Sequence, residues 1–216
     1  MERNIRLIPS IASADPLRIA AEIGRIREWK MLHIDIEDGN FVPNITYGEK
    51  TVRAIAGITG QELDGHILAV NPEQYLPLFA DCGFRRAAAH IEALPYPLLF
   101  LNRARDMGMA AGLALNFAAP AEAVLPFISA LDYVIIMTAE PDSRGQQYYP
   151  PILEKIRRMR EILPEEKEIW ADGGINQSNM AEVTAAGADN LIMGRAVFGS
   201  PDPIDTLQAL TEQLKG

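Results

Sequence analysis

The chain has 216 residues, of which 48% are hydrophobic, and 29 acidic against 20 basic side chains give a formal net charge of −9. The basic residues are scattered rather than clustered, so we expect the surface to repel nucleic acid and anionic membranes. No apolar run approaches the roughly 18 residues that a membrane span needs, and the N-terminus lacks the apolar segment of a secretory signal. We therefore expect a cytoplasmic protein, and the single cysteine, Cys82, excludes an internal disulfide.

Apolar runs bounded by turn signals predict eight strands, near residues 5–11, 31–36, 63–69, 86–91, 110–116, 132–138, 168–172 and 190–194. Helical stretches of about 10 to 15 residues separate them, which is typical of βα units. Asp or Asn followed by proline at 15–16, 71–72 and 202–203 indicates helix starts, and glycine at 83, 108 and 187 indicates helix ends. The strands lack polar alternation, as parallel strands buried on both faces do. Eight such units without a linker predict a closed (β/α)8 TIM barrel, with residues 1–216 as one domain.

Three histidines, His33, His66 and His90, lie at the downstream ends of predicted strands. Asp35 follows His33 by two positions and so shares its side of the strand, while Asp172 ends the seventh strand. A lone histidine of this kind is usually a hydrogen-bonded core residue. Several histidines and aspartates at one barrel rim, however, would leave many buried polar groups to satisfy. We therefore predict one divalent metal ion, Zn, Fe(II), Mn or Co, bound by His33, Asp35, His66 and Asp172.

Two carboxylates that face each other across the mouth of a barrel can act as a proton donor and acceptor pair. A metal between Asp35 and Asp172 would acidify the C–H bond beside a substrate carbonyl and stabilise the enediolate that forms. One aspartate would remove a proton and the other would return one to the opposite face. The predicted outcome is inversion at a carbon next to a ketone.

Glycine-containing loops follow the seventh and eighth strands, in Asp172-Gly173-Gly174-Ile175-Asn176 and in Met193-Gly194-Arg195-Ala196. Barrels often bind phosphate between these two loops, through backbone N–H groups and a helix N-terminus. A Gly-Gly pair alone also occurs in a simple tight turn, but glycines in both expected loops favour a phosphate site.

Several segments resemble the ribulose-phosphate 3-epimerase family, and the resemblance covers essentially the whole chain. They are Pro9–Asp15, His33–Asn44, Asp64–His66, Met137–Thr138 and Asp172–Ile175. The resemblance implies a sugar-phosphate substrate, a homo-oligomer, and a metal held by the four residues predicted above, with Asp35 and Asp172 as acid and base. It further implies that Ser10 lines the substrate site and that the phosphate lies at Gly173, Gly174, Gly194 and Arg195.

The chain departs from the family pattern at several positions. The family usually has methionine at the positions of Glu37 and Leu68, and histidine at that of Asn40. Glu37 would share a face with His33 and Asp35 if the strand stayed regular, but we favour the alternative that it faces solvent.

The loop after the sixth strand also differs, because the family pattern Pro-Gly-Phe-Gly-Gly-Gln is replaced by Pro-Asp-Ser-Arg-Gly-Gln at 141–146. Arg144 and Arg195, with Gly145, are predicted to hold the phosphate by charge. Alternatively, the substrate carries a different anionic or polar tail.

The leading hypothesis is a metal-dependent 3-epimerase of a ketose phosphate, with ribulose 5-phosphate and xylulose 5-phosphate as the default pair. A hexulose phosphate such as allulose 6-phosphate is one alternative, and a non-catalytic sugar-phosphate-binding barrel is another. Phosphosugar decarboxylases on a similar barrel commonly carry Asp-x-Lys-x-x-Asp. The comparable stretch here, Asp35-Ile36-Glu37-Asp38, has no lysine, which argues against that chemistry.

Overall fold

The computed structural model describes residues 4–140 and 145–214. Its eight strands are all parallel and follow the order β1-β8-β7-β6-β5-β4-β3-β2, and a bridge between Ser10 and His33 joins β1 to β2. The predicted (β/α)8 TIM barrel is thus confirmed, and each strand lies within two residues of its predicted bounds. The strands are β1 (Arg6–Pro9), β2 (Met31–Glu37), β3 (Glu62–Leu68), β4 (Arg86–His90), β5 (Ala110–Leu115), β6 (Tyr133–Met137), β7 (Glu168–Asp172) and β8 (Asn190–Met193).

Four of the eight connecting helices described are shorter than the 10 to 15 residues that the sequence predicts. They are α1 (Ile19–Arg25), α2 (Glu49–Ile58), α3 (Leu76–Asp81), α4 (Pro97–Asp106), α5 (Leu153–Ile162), α6 (Met180–Ala186), α7 (Arg195–Phe198) and α8 (Pro203–Gln213). Between β5 and β6 the chain forms a 3-10 helix, Ala121–Phe127, which contains Pro126. Proline cannot donate a backbone hydrogen bond, which disfavours an α-helix at this point. None of the described helices is both long and apolar enough to cross a membrane.

The helix-boundary signals were right at most positions. Asp202 caps α8 by accepting a hydrogen bond from the Asp205 N–H. Gly83, Gly108 and Gly187 follow helices with positive φ angles of 73°, 83° and 130°. The expected helix start at Asp15-Pro16 is wrong, because the Asp15 side chain accepts the N–H of Leu17 in a local turn and α1 begins later, at Ile19.

The interior of the barrel is filled in layers. At the N-terminal end of the strands, Arg6 donates to Asn190 Oδ1 at 2.7 Å and pairs with Glu168, which accepts the Trp170 indole N–H at 3.0 Å. An apolar layer lies above this network: Ile8, Met31, Ala88, Ala114, Tyr133, Ile135, Met137, Trp170 and Ile192. This packed interior forms the floor beneath the polar side chains at the opposite end.

One glycine in the interior shapes this floor. A Cβ atom at Gly112 would lie 2.6 Å from the ring of Tyr133, so only glycine leaves room for that ring. The Tyr133 hydroxyl can then donate to Asp64 Oδ1 on β3, at 3.0 Å. The floor is thereby tied to the residues that support the site.

Candidate active site

At the C-terminal end of the barrel, the pairing of β2 with β3 places polar side chains in the interior at two successive levels along the strands. His33 is paired with Asp64, and two residues further on Asp35 is paired with His66. Asp172 reaches the same rim from β7, paired with Met137 of β6. Because alternate residues of a strand face the same side, the regular strands alone bring these side chains together.

Four side-chain atoms converge at this rim, from His33, Asp35, His66 and Asp172, and all lie within 4.8 Å of one another. Asp35 Oδ1 is 3.0 Å from His33 Nε2 and 3.1 Å from His66 Nδ1, while Asp172 Oδ2 is 3.3 Å from His66 Nδ1 and 3.9 Å from His33 Nε2. Around an ion with bonds of about 2.0–2.2 Å, neighbouring ligand atoms lie about 3.0–3.5 Å apart. The two imidazoles and two carboxylates therefore fit one divalent metal ion.

Asp64 orients His33 through the ring nitrogen that points away from the other three side chains of the cluster. Its Oδ2 lies 2.5 Å from His33 Nδ1, and its Oδ1 accepts the Tyr133 hydroxyl. Asp64 and His33 are fully buried. A carboxylate at Nδ1 holds the proton there and leaves Nε2 free to bind a metal.

The second histidine has a different support. His66 Nε2 lies 3.0 Å from His90 Nε2, and the two rings are stacked with centroids 5.0 Å apart. Because His66 Nδ1 faces the carboxylates, its Nε2 carries the proton and donates to His90. Burial lowers the pKa of His90 to about 4, so this ring is neutral, and its Nδ1 lies 3.5 Å from Glu92 Oε2. His90 therefore positions His66 and lies outside the ligand set.

The charges within the cluster are strongly coupled. Burial alone would lower the pKa of His33, but Asp35 and Asp64 raise that pKa well above its usual value. Burial would raise the pKa of Asp35, but His33 and His66 lower it well below its usual range. The raised pKa of His33 and the lowered pKa of Asp35 indicate protonated imidazole beside carboxylate, and a bound divalent cation would supply the same positive charge in place of those protons.

A cavity of about 330 Å³ opens above the cluster. Asp35 and Asp172 line it, together with Ser10, whose hydroxyl donates to Asp35 Oδ2 at 2.7 Å. Asp35 thus presents one oxygen to the histidines and has the other held by Ser10.

The loops after β7 and β8 form another wall of the cavity, on which Gly173, Gly174, Gly194 and Arg195 all lie. Gly173 and Gly174 have φ angles of +117° and +68°, and a Cβ at either would lie 2.6 Å from a backbone nitrogen of the loop after β6. A Cβ at Gly194 would lie 2.1 Å from Ser13 Oγ. These glycines are therefore required by close loop packing, whatever the cavity binds.

Arg195 connects the loop after β8 to the loop after β6. Its Nη2 donates to the carbonyl of Gln146 at 2.8 Å, and its Nη1 lies 3.1 Å from the position that a Cβ on Gly145 would occupy. Gly145 is outside the cavity lining, and Arg144 lies outside the described residues. That Arg144 and Arg195 together hold the phosphate therefore stays a prediction, because only Arg195 lies among the described residues.

The model of the ribulose-phosphate 3 epimerase family matches residues 6–198 of the chain. The chain belongs to the ribulose-phosphate 3-epimerase family. It is 37% identical to the ribulose-phosphate 3-epimerase of Synechocystis sp., over 94% of this chain and 91% of that protein, and 34% identical to that of Bacillus subtilis, over 92% and 94%. The family is metal-dependent in general, in agreement with the donor set at the rim.

Solved structures outside the family share the barrel. Orotidine 5'-phosphate decarboxylase from Pyrococcus horikoshii OT3 superposes with a TM-score of 0.68 at 16% identity, covering 97% of this chain and 99% of that one. Thiamine phosphate pyrophosphorylase from Pyrococcus furiosus gives 0.66 at 15% identity, covering 99% and 98%. At these identities the likeness concerns the fold alone.

Within this ribulose-phosphate 3-epimerase family barrel, the expectation that Glu37 faces solvent is wrong. β2 remains a regular strand through Glu37, which is only 8% exposed and lines the cavity. The Asn44 side-chain amide donates to its carboxylate. Burial and the nearby Asp35 raise the pKa of Glu37 to about 7. The cavity wall therefore carries a carboxyl group at the end of β2.

Two residues of the site were not predicted to contribute to it. Asp64 was named only as the start of the segment Asp64–His66, although its spacing of two residues from His66 already placed both side chains on the same face. Asn44 has no signal in strand periodicity, because it returns to the cavity through the loop after β2.

Proposed function

We propose that this chain is a metal-dependent 3-epimerase of a ketose phosphate, with ribulose 5-phosphate and xylulose 5-phosphate as the default pair. The observation that carries the proposal is the convergence of Asp35 and Asp172, from β2 and β7, on two histidines at the base of one cavity. Family membership supports the same reaction, since the relatives at 32–37% identity are named ribulose-phosphate 3-epimerase.

His33, Asp35, His66 and Asp172 would hold the ion, and their mixed nitrogen and oxygen donors suit Zn, Fe(II), Mn or Co. When bound, a divalent metal polarises the substrate carbonyl and stabilises the negative charge of the enediolate. Asp64 and His90 keep the two imidazoles in the tautomers that such binding needs.

The two aspartates supply the proton transfers. One carboxylate removes the proton from C3 of the substrate, and the electron pair of that C–H bond moves into the enediolate. The other, protonated, then delivers a proton to the opposite face of C3, which inverts the centre and returns the pair to its starting charge. The Ser10 hydroxyl holds Asp35 Oδ2 in place for its transfer.

We propose that the wall formed by Gly173, Gly174, Gly194 and Arg195 holds the phosphate, through backbone N–H groups and the planar guanidinium. Gly145 and Arg144 would extend this site from the loop after β6. The position of Arg195 between the loops after β6 and β8 supports the assignment.

A hexulose phosphate of the allulose 6-phosphate type is a second candidate, favoured by the polar wall at Glu37, and a non-catalytic sugar-phosphate-binding barrel is the remaining alternative. We further infer one domain over residues 1–216, a homo-oligomer and a cytoplasmic location. A rice relative at 32% identity is named as a cytoplasmic isoform.

The test is solvent exchange in deuterated water with a panel of pentulose and hexulose phosphates, combined with metal analysis of the purified protein. An epimerase incorporates deuterium at C3 with inversion, and the panel member with the highest kcat/KM identifies the substrate. Tight binding of a sugar phosphate without any exchange would instead support the non-catalytic alternative.

A further inference from the structure

We propose that Glu37 determines substrate specificity: its carboxylate accepts a hydrogen bond from the terminal hydroxyl of the ketose, at the end remote from the phosphate, and repels an anionic group at that end. This inference rests on the proposed function, because it assumes that a ketose phosphate occupies the cavity above Asp35 and Asp172.

Strand geometry places Glu37 directly above the metal cluster. It follows Asp35 by two residues on β2, so it faces the same side and lies about 6.6 Å further along the strand, toward the mouth. Its partner on β3 is Leu68, just as the partner of Asp35 is His66. Glu37 and Leu68 thus form a wall of the cavity one level above the ligands.

The carboxylate of Glu37 is incompletely satisfied by the protein. Asn44 donates to Oε2, whereas no residue within 4–140 or 145–214 donates a hydrogen bond to Oε1. No arginine or lysine of these described ranges forms an ion pair with Glu37 either. A largely buried carboxylate with one donor is costly unless a second donor is supplied. A hydroxyl group of a bound sugar is such a donor and carries no opposing charge.

The rest of the cavity determines which hydroxyl this is. Arg195 and the backbone of Gly173 and Gly174 form the wall after β7 and β8, where an anion is best accommodated. β2 and β3 lie on a different part of the ring, separated from β8 by β1. A ketose whose phosphate is at the first wall and whose reacting carbon is at the cluster directs its other terminus, C1, toward Glu37.

The Glu37 carboxylate would discriminate between ligands in two ways. It favours a terminal hydroxyl over a methyl group, because the methyl group leaves Oε1 without a donor. It also disfavours a second phosphate, because two anions would share a poorly solvated wall. Methionine, usual in the family at this position, would do neither.

The experiment compares three ligands that differ only in the group on C1: xylulose 5-phosphate with a hydroxyl, 1-deoxyxylulose 5-phosphate with a methyl group, and xylulose 1,5-bisphosphate with a phosphate. The kcat/KM for deuterium incorporation at C3 is measured for the first two, and the inhibition constant for the third, in buffer well above pH 7, because the pKa of Glu37 is raised to about 7. The wild-type protein is compared with Glu37→Met and Glu37→Gln, after metal content and thermal melting show that each variant is folded. Leu68→Met is the matched control, because it changes the same wall without changing charge.

For the wild type we expect kcat/KM about 10- to 100-fold higher for the hydroxyl than for the methyl substrate, as for loss of a hydrogen bond to a charged acceptor. Glu37→Met should reduce this ratio to within about threefold and tighten bisphosphate inhibition at least about tenfold. Glu37→Gln should lose the rejection of the bisphosphate, because the amide carries no charge. Its oxygen stays with the Asn44 amide, so its NH2 group faces C1 and donates to the hydroxyl oxygen, which keeps part of the hydroxyl preference. If Glu37→Met does not fold, the Glu37→Gln result alone decides whether the charge excludes the second phosphate.

Unchanged ratios in both variants, or an equal shift in Leu68→Met, would overturn the role of Glu37 while leaving the epimerase function intact. Absence of exchange by the wild type with every ketose phosphate would overturn the proposed function, and this inference with it.

Discussion

Replacing Asp64 with asparagine tests whether the support behind His33 matters for metal binding. The fully buried Asp64 carboxylate lies 2.5 Å from His33 Nδ1 and does not belong to the ligand cluster itself. Asparagine keeps the size and can still accept the Tyr133 hydroxyl, but it loses the charge that holds the imidazole proton at Nδ1. Loss of such a partner typically weakens metal binding about 10- to 100-fold, which corresponds to about 1.4–2.8 kcal/mol.

The assay is a competition titration of the metal against a chelator, with kcat/KM measured at saturating metal. Tyr133→Phe serves as the control, because it removes the other hydrogen bond of Asp64 and leaves the contact with His33 in place. We expect Tyr133→Phe to cost about 1 kcal/mol of folding stability and to change metal affinity much less than Asp64→Asn. An Asp64→Asn protein that folds and binds metal as tightly as wild type would refute the assignment of His33 Nε2 as a ligand oriented from Nδ1.

Three further outcomes are expected. Asp35→Asn and Asp172→Asn should each abolish turnover while circular dichroism and melting show an intact fold, and near-wild-type rates in either would rule out the two-aspartate mechanism. Arg195→Ala should raise KM for the phosphorylated ketose far more than for its unphosphorylated analogue, and equal effects on both would remove this arginine from the phosphate site. Gly65→Ala should destabilise the protein by about 1–3 kcal/mol in denaturant unfolding, since its Cβ would lie 2.2 Å from the ring of Phe79; an unchanged midpoint would show that this ring moves freely.

The barrel and the convergence of His33, Asp35, His66 and Asp172 were predictable because both follow from strand periodicity. Eight apolar runs with buried character predict the strands, and the spacing of His33 and Asp35 predicts that both side chains lie on one face of the strand. The lengths of the helices were less predictable, because their ends depend on packing against the sheet. The turn at Asp15 shows this, since its capping side chain serves a local turn and α1 begins only at Ile19.

The contribution of Asn44 and the burial of Glu37 were harder to predict. Glutamate is rarely buried, which predicted an exposed Glu37, whereas the periodicity of β2 predicted that its side chain faces inward. The structure agrees with the periodicity. What makes the burial possible is the amide of Asn44, which comes from a loop whose path no repeating pattern encodes. The prediction for Glu37 failed because its burial depends on a hydrogen-bond partner in a loop, and the periodicity of the strands carries no information on that loop.

In β2, the residue proposed to set substrate preference lies apart from the residues proposed to carry the chemistry. Three inward residues, His33, Asp35 and Glu37, occupy successive levels, paired with Asp64, His66 and Leu68 on β3. The side chains of the two lower levels are joined by hydrogen bonds, so a change at either level disturbs several partners at once. Glu37 contacts Asn44 and the cavity instead, about 6.6 Å further along the strand. Under the proposed role of Glu37, we therefore expect a substitution at the top level to alter which sugar phosphate is preferred, while His33, Asp35, His66 and Asp172 keep their places.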